Sequence, residues 1–346
     1  MSKKLSLLCL SLALFLTACA APDDHANTLR VMTHDSFAVS DEVLAQFEEQ
    51  YNVTVEFLAS GDTGAALNKA VLSKGSPLAD VFYGVDNTFL SRALAEGIFE
   101  PYQSPVLEDV PAEFQLDPTN HALPVDYGDV CVNYDIGHFE SLDLGAPESL
   151  EDLADPQYKD MLVVENPASS SPGLAFLLAT IAHFGEDGYL DFWQSLVDNG
   201  VLVTNDWETA YYTEFSYWGG TRPLVVSYGS SVAFEFFFVE PPIPDNPTGA
   251  VLGPQACFRQ IEFVGILAGT ENRDLAEKWV DFMLSPAFQG DLPYQMVVYP
   301  VNRQVALEQD YLDHAAIPAE PASLPPDDIA ANRETWIEAW RQVVLQ

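Results

Sequence analysis

The amino-acid sequence predicts an α/β fold of two lobes with a ligand cleft between them. Its 346 residues are 48% hydrophobic, which is enough for roughly two domains of about 150 residues each. Strand-like and helix-like segments alternate from residue 29 to residue 97, and a second alternating unit follows. A later β-rich segment returns the chain to the first unit, so two crossovers are expected to join the lobes.

The first unit is expected to be a parallel sheet covered by helices on both faces. Strands are predicted at residues 29–34, 53–59 and 79–84, and helices at residues 40–51, 63–74 and 87–97. Ser40 is the predicted cap of the first helix, and Asp41 and Glu42 lie in its positive first turn. Strands that alternate with helices of this length are typical of parallel sheets.

The second unit is expected to begin at a crossover near residues 122–135 and to continue to about residue 250. It contains a predicted strand at 160–166, a helix that begins within SSSPG, and a strand at 222–229. The segment 256–270 has no internal turn signal and is the predicted second crossover. Helices are expected at 274–285 and 331–346, with an ordered proline-rich loop at 317–328. Such folds bind ligands near the carboxyl ends of strands and at helix N-termini.

The N-terminus has the features of an export signal. Lys3 and Lys4 precede an apolar run from Leu5 to Leu16, which is too short for a membrane-spanning helix of about 20 residues. The run ends in Leu-Thr-Ala-Cys, and this Cys19 resembles the lipidated cysteine of bacterial lipoproteins. We predict a signal peptide at 1–18, a lipidated tether at 19–27 and an extracytoplasmic, membrane-anchored protein. Signal cleavage without lipidation is the alternative.

Charge and motifs exclude several classes of function. The net charge of −38 repels nucleic acid and anionic lipid, so no nucleic-acid partner is expected. The sequence has no Gly-x-Ser-x-Gly elbow, no HExxH motif and no phosphate P-loop. We therefore predict a protein that is not an enzyme and needs no cofactor or metal. An exported hydrolase is the alternative from another class.

Two cysteines remain after the leader and Cys19 are set aside. Cys131 and Cys257 match no zinc motif, and in an oxidising compartment such a pair tends to form a disulfide. Two separate buried thiols are the alternative.

Eight short segments occur in an order found in one protein family. They are VMTHDSF, ADVFYGVDN, SSSPGL, VTNDWETAY, SYGSS, SPAFQ, YPVN and RETWIEAWRQ. Together, over nearly all of the chain after the leader, they resemble the thiamine-binding periplasmic proteins of bacterial ABC importers. The resemblance implies a monomer with the two-lobed type II periplasmic binding protein fold, hinged on two crossover strands. It would close over thiamine or a thiamine phosphate and deliver it to an ABC permease.

The resemblance also implies lobe boundaries and a place for the cysteine pair. Lobe 1 would comprise residues 28–125 and 258–302, and lobe 2 residues 126–257 and 303–346. Cys131 and Cys257 would lie on the neighbouring crossover strands, where a disulfide would join the base of the hinge.

Asp62 and Thr63 are the first predicted ligand contacts, because they match an acidic residue and its neighbour in the family motif. A carboxylate can accept a hydrogen bond from an aminopyrimidine or balance a thiazolium cation. The alternative for Asp62 is the N-cap of the helix that follows it.

Ser170 and Ser171 match the family's Ser/Thr pair before Pro-Gly. One serine would cap the helix, and Gly173 would allow a close approach to the backbone. Spare hydroxyls and amides would then face a phosphate or hydroxyl group of the ligand. No Lys or Arg lies between Lys159 and Arg222, which favours free thiamine or its monophosphate over the pyrophosphate.

Trp207 matches a ligand-stacking tryptophan of the family, with a buried core tryptophan as the alternative. Tyr228, Gly229, Ser230 and Ser231 match a ligand-binding loop after a strand of lobe 2. The tyrosine would supply a ring and a hydroxyl, and the Gly-Ser-Ser backbone would donate hydrogen bonds. The alternative is a tight turn between strand and helix that contacts no ligand.

Three positions depart from the family pattern. His34 replaces an aromatic residue, Val297 a tryptophan and Phe234 a tyrosine. His34 and Phe234 remain candidate ligand contacts, although His34 can equally be structural. Because these changes make one side of the site less aromatic, a thiamine precursor is an alternative ligand. A polyamine is a further alternative, since the composition permits an acidic and aromatic cleft, and a ferric ion is another, since such binders use paired tyrosines. Tyr211 and Tyr212 are weak candidates for iron ligands, since adjacent side chains diverge.

Overall fold

A computed structural model describes residues 28–345 of the chain. The predicted signal peptide and lipidated tether, including Cys19, lie outside these residues. The strands are β1 (Thr28–Thr33), β2 (Thr54–Ala59), β3 (Val81–Asp86), β4 (Phe99–Glu100), β5 (Leu123–Asp135), β6 (Leu162–Glu165), β7 (Leu202–Thr204), β8 (Leu224–Tyr228), β9 (Thr248–Ala250), β10 (Phe258–Leu267) and β11 (Tyr299–Pro300). The α-helices are α1 (Asp41–Tyr51), α2 (Thr63–Ser73), α3 (Leu90–Glu96), α4 (Ile136–Ser141), α5 (Ser171–Phe184), α6 (Tyr189–Asp198), α7 (Ser231–Phe238), α8 (Arg273–Met283), α9 (Pro286–Gln295), α10 (Gln309–His314) and α11 (Pro326–Val344).

The strands form one mixed sheet that passes through both lobes, in the order β2-β1-β3-β10-β5-β8-β6-β7. In lobe 1, β1 is parallel to β2 and β3, and in lobe 2, β6 is parallel to β7 and β8. The parallel sheet predicted for the first unit is confirmed, whereas the central strands, whose direction was not predicted, are antiparallel: β10 to β3 and β5, and β5 to β8. The outer strands follow βαβ connections, whereas the crossover strands return from the other lobe in the opposite direction.

The two crossovers are β5 and β10, which pair with each other between the lobes. Their register joins Phe258 to Val130 and continues to Glu262 opposite Asp126. Cys131 lies on β5 and Cys257 directly precedes β10, and the two form a disulfide with a Cα–Cα distance of 4.4 Å. The disulfide covalently links the strands on which the two lobes hinge.

Several helices begin or end at residues that the sequence indicated, and two do not. Ser40 caps α1 by accepting a hydrogen bond from the Val43 amide. Helix α3 begins at residue 90 rather than 87, because the Asp86 carboxylate accepts from the amides of Thr88 and Phe89 and holds a turn there. Helix α11 begins at residue 326 rather than 331, with a proline at its first position and acidic residues in its first turn.

Helices α6, α7 and α9 lie in stretches for which no helix was predicted. Helix α7 has the sequence SVAFEFFF, whose aromatic run has no helical period, and α9 contains Gly290 and Pro293. These patterns do not favour a helix locally, so tertiary packing determines both elements. None of the helices within residues 28–345 is long and apolar enough to cross a bilayer.

The C-terminal helix α11 packs against both lobes. The ring of Trp340 contacts that of Trp193 on α6, with centroids 5.5 Å apart. Nearer the start of α11, the Arg333 guanidinium donates to the Thr88 carbonyl oxygen and lies over the Phe89 ring, both at the start of α3. Helix α11 thus contacts both lobes, one through Trp340 and the other through Arg333.

Candidate ligand-binding site

A cavity of about 290 Å³ lies between the lobes, a size near the lower end for small-molecule sites. Lobe 1 contributes the loop after β1, the start of α2, strand β10 and the segment after α9. Lobe 2 contributes the start of α5, the segment before the π-helical turn Thr209–Glu214, strand β8 and helix α7. The predicted site residues that line it are His34, Asp62, Thr63, Ser171, Trp207, Tyr228 and Phe234.

Trp207 is held in place at the cavity wall by its neighbours. One face of its indole stacks on the Tyr211 ring, with centroids 4.9 Å apart and an interplanar angle of 17°. Its indole N–H donates to the Ser227 hydroxyl at 3.0 Å. The rings of Tyr212 and Tyr228 lie edge-on to it, at 5.5 Å and 6.5 Å. This arrangement forms a preorganised aromatic wall for a flat ligand.

Carboxylates line the cavity opposite and around this wall. They belong to Asp35, Asp62, Glu208 and Glu262, and no Lys or Arg of the described chain lines the cavity. Burial raises the pKa of Asp62, although hydrogen bonds from Ser170 and the Thr63 amide oppose the shift. Burial and the nearby Asp35 carboxylate raise the pKa of Glu208. The negative potential of the cavity favours a cation.

The cavity floor contains a buried cluster of titratable side chains. The Tyr83 hydroxyl lies 2.6 Å from Asp126 Oδ2 and 2.8 Å from Glu262 Oε2. His34 Nε2 lies 3.7 Å from Glu262 Oε2. Burial disfavours a charge on His34, but the attraction of Glu262 outweighs it and raises the pKa of His34. Burial also acts against ionisation of Glu262, but His34 lowers the pKa of this carboxyl group.

Asp62 joins the two lobes at the edge of the cavity. Its Oδ1 accepts from the Thr63 amide at 2.7 Å and caps α2, while its Oδ2 accepts from the Trp207 amide at 3.2 Å. The cap is therefore present together with a contact across the cleft. A backbone hydrogen bond from Gly64 N–H to the Ser169 carbonyl oxygen, at 3.0 Å, lies beside it.

The three serines before α5 are bonded within the protein. The Ser169 hydroxyl donates to the Asn205 carbonyl oxygen at 2.6 Å, and Ser170 accepts from the Gly173 amide as the N-cap of α5. The Ser171 hydroxyl donates to the Asp86 carboxylate of lobe 1. Gly173 does allow a close approach to the backbone, and the group that approaches belongs to the same lobe: a Cβ there would lie 2.5 Å from the carbonyl oxygen of Glu165, on β6.

Gly229, Ser230 and Ser231 are not among the residues that line the cavity. The Gly229 amide donates to the Asp129 carbonyl oxygen at 2.9 Å. The Ser230 hydroxyl donates to the carbonyl oxygen of Val297, and the Ser231 hydroxyl pairs with that of Ser227. The segment is a tight connection from β8 to α7, and of the four predicted residues at 228–231 Tyr228 is the one that lines the cavity.

Glu262 and Glu208 line the cavity but were not identified as site residues, and Tyr212, which also lines it, was considered only as a weak candidate for an iron ligand. Glu262 had a visible signal, because it is an acid between the apolar residues Ile261 and Phe263 of a buried strand. The three positions that depart from the family pattern, His34, Phe234 and Val297, also line the cavity.

The tyrosine pair considered for iron binding does not converge. The rings of Tyr211 and Tyr212 are at 89° to each other, and the Tyr211 hydroxyl donates to Glu235 within lobe 2. Among residues 28–345, no three His, Cys, Asp or Glu side chains are placed to hold a metal ion.

Comparison with known proteins defines the class of this two-lobed cleft protein. A family model described as bacterial extracellular solute-binding protein matches residues 76–330. The chain is 31% identical to the thiamine-binding periplasmic protein of Salmonella typhimurium over 336 residues, which cover 95% of this chain and 97% of the relative. The corresponding Escherichia coli protein is 31% identical over 343 residues, covering 97% and 98% of the two chains. The chain belongs to the bacterial extracellular solute-binding proteins, in the group that contains the thiamine-binding periplasmic proteins.

Solved structures agree with this assignment. A periplasmic thiamin binding protein superposes with a TM-score of 0.81 and 28% identity, covering 92% of this chain and 97% of the other. Iron-bound HitA from Pseudomonas aeruginosa has a TM-score of 0.73 at 19% identity, covering 92% and 99%, and shares the fold. These matches establish that the chain has the type II periplasmic binding protein fold and belongs to a class of extracytoplasmic proteins.

Proposed function

We propose that this protein captures thiamine in the cavity between its lobes and delivers it to an ABC permease. The observation that carries the proposal is the pairing of an aromatic wall around Trp207 with carboxylates at Asp62 and Glu262, in a cavity whose described lining has no Lys or Arg. Its relatives named for thiamine binding support the same ligand.

The geometry suits a flat organic cation. Trp207 lines the cavity, and Tyr211 covers one face of its indole. A ligand cation against the other face would gain a cation–π contact worth about 0.5–2 kcal/mol. Asp62 and Glu262 can accept hydrogen bonds from an exocyclic amine or balance a ring cation. Contacts from both lobes to one ligand would favour the closed state of the molecule.

Unphosphorylated thiamine is the proposed form of the ligand. The serine hydroxyls that were expected to face a phosphate donate to Asn205 and Asp86 instead. A phosphate would also add negative charge beside four carboxylates, with no Lys or Arg in the described lining to pair with it. Each added phosphate is therefore expected to weaken binding.

We further propose that the protein is a non-enzymatic, monomeric component of an importer, tethered by lipid on Cys19 to the outer face of a membrane. The leader sequence supports this tether. Closure of the lobes would create the surface that the permease recognises.

The proposed function is tested by titrating the soluble chain from residue 20 onward, stripped of ligand, by calorimetry. The ligands are thiamine, its monophosphate and its pyrophosphate, with putrescine and ferric citrate as rivals. We expect one-to-one binding with affinity decreasing from thiamine to the pyrophosphate. Binding of putrescine but of no thiamine form would assign the same acidic and aromatic cleft to a polyamine, and would overturn the proposal.

A further inference from the structure

A histidine and a glutamate are buried side by side at the floor of the cavity. His34 is 7% exposed and Glu262 is 4% exposed, and both line the cavity. The Ser36 hydroxyl holds His34 Nδ1 at 3.0 Å, which directs Nε2 toward Glu262 Oε2 at 3.7 Å. His34 Nε2 has no hydrogen-bond partner within the described residues. The pair is thus prearranged but open to a third group.

Within residues 28–345, His34 is the one cationic neighbour of Glu262. The titratable groups that face the pair are Asp35 on the same loop, Asp62 at the start of α2, Tyr83 and Asp86 on β3, Asp126 on β5, Glu208 before the π-helical turn and Tyr228 on β8. All of them are acids or phenols. The His34 imidazolium is therefore the one resident cation available to Glu262 among the described residues that line the cavity.

We infer that a cationic ligand exchanges with the His34 proton: the positive end of the ligand binds beside Glu262, and the imidazolium at His34 Nε2 releases its proton to solvent. This inference rests on the proposed function, because it takes thiamine as the cation. Two positive charges beside one buried carboxylate repel each other where water is scarce. Glu262 is then the residue that selects for cations. The positive charge on His34 is the charge that a cationic ligand replaces beside Glu262.

The exchange makes affinity depend on pH in a defined direction. Because binding releases a proton, affinity increases with pH, by at most about tenfold per pH unit below the pKa of His34. That pKa is raised by Glu262, so the dependence extends above the usual titration range of histidine. Protonation of the surrounding carboxylates at low pH would also weaken cation binding. A variant that lacks His34 is therefore needed to separate the effect of the histidine from that of the carboxylates.

The test is calorimetric titration of thiamine into the soluble protein between about pH 6 and pH 8, in PIPES and in ACES, whose ionisation heats differ. The difference in apparent heat gives the number of protons released. The variant is His34→Gln. The matched control is His183→Gln, which removes a second histidine–glutamate contact, with Glu151 at 2.7 Å, at a position that does not line the cavity.

We expect roughly 0.3–1 proton released by the wild type and by His183→Gln. His34→Gln should release clearly less, and its remaining pH dependence should come from the surrounding carboxyl groups, among them Asp86, whose pKa burial raises to about 7. Thiamine binding without proton release, or release that persists undiminished in His34→Gln, would overturn the exchange and leave the proposed function intact. If wild-type protein binds no thiamine at all, the proposed function and the exchange fail together. If His34→Gln does not fold, an NMR titration of wild-type His34 decides the matter: its pKa must fall when thiamine is bound.

Discussion

Buried carboxyl groups distinguish this protein at the scale of single residues. Glu235 on α7 is 2% exposed, and its Oε1 accepts from the Tyr211 hydroxyl at 2.8 Å. Burial raises the pKa of Glu235 to about 7, although the hydrogen bond from Tyr211 opposes the shift. Between the unfolded value of 4.5 and this folded value, the folded state retains a proton that the unfolded state releases. Stability from this group is therefore present at low pH and is lost as pH rises toward 7.

Glu235→Gln removes that cost and keeps an acceptor for Tyr211. We compare the free energy of unfolding of the variant with that of the wild type at each pH. The difference in favour of the variant is expected to be about 1–2 kcal/mol larger at pH 8 than at pH 5. Urea denaturation at the two pH values measures this difference, with the exposed Glu140→Gln as the control. An equal change at both pH values would contradict the assignment of a raised pKa.

The resemblance identified the aromatic residues of the cavity more fully than its acids. Trp207, Tyr228 and Asp62 were anticipated because each lies in a recognisable short motif. Glu262 was not anticipated, and Tyr212 was considered only as a weak iron ligand, because their place in the cavity depends on how β10 and the π-helical turn are positioned. Such positioning arises from long-range packing that local sequence patterns do not contain.

At the scale of elements, the starts of α2 and α5 meet across the cleft. Gly64 lies in the first turn of α2, and two backbone carbonyl oxygens of lobe 2 lie close to it. A Cβ at Gly64 would be 2.8 Å from the carbonyl oxygen of Ala168 and 2.9 Å from the carbonyl oxygen of Ser169. In this arrangement only a glycine lets the two helices approach so closely.

Gly64→Ala is therefore expected to hinder closure without weakening lobe 1. Alanine favours a helix by up to about 1 kcal/mol over glycine, so the ligand-free variant should unfold at the same temperature as the wild type or higher. Overpacking against lobe 2 should weaken thiamine binding by about tenfold or more. Calorimetry and thermal unfolding measure the two effects. Gly75→Ala, at a position with open space, is the control, and wild-type affinity in Gly64→Ala would refute this role.

Local signals predicted most elements of lobe 1 but not the direction of the central strands. The apolar segments and the Ser40 cap matched α1 and its neighbouring strands within a few residues. Strand direction at β5 and β10 is fixed by pairing between residues far apart in the chain, which hydrophobic periodicity does not encode. Helix α11 began earlier than predicted because the proline-rich segment before it was interpreted wholly as a loop.

At the scale of the whole molecule, the two lobes share one sheet and hinge on β5 and β10. The disulfide between Cys131 and Cys257 joins these strands, while Asp62, Gly64 and Ser171 make the contacts across the cleft. The hinge and the contacts at the cleft edge lie on different parts of the molecule. A ligand in the cavity can therefore stabilise closure without any change in the core of either lobe.

The central claim, that thiamine binds between the lobes against Trp207, is tested most directly by titrating thiamine into wild type, Trp207→Phe and Trp207→Ala. Phenylalanine retains a ring at the wall, whereas alanine removes it, and each loss of 1.4 kcal/mol weakens binding tenfold. We predict that Trp207→Phe retains most of the affinity and that Trp207→Ala loses about tenfold or more. Wild-type affinity in Trp207→Ala would contradict the account, because thiamine would then bind elsewhere on the protein.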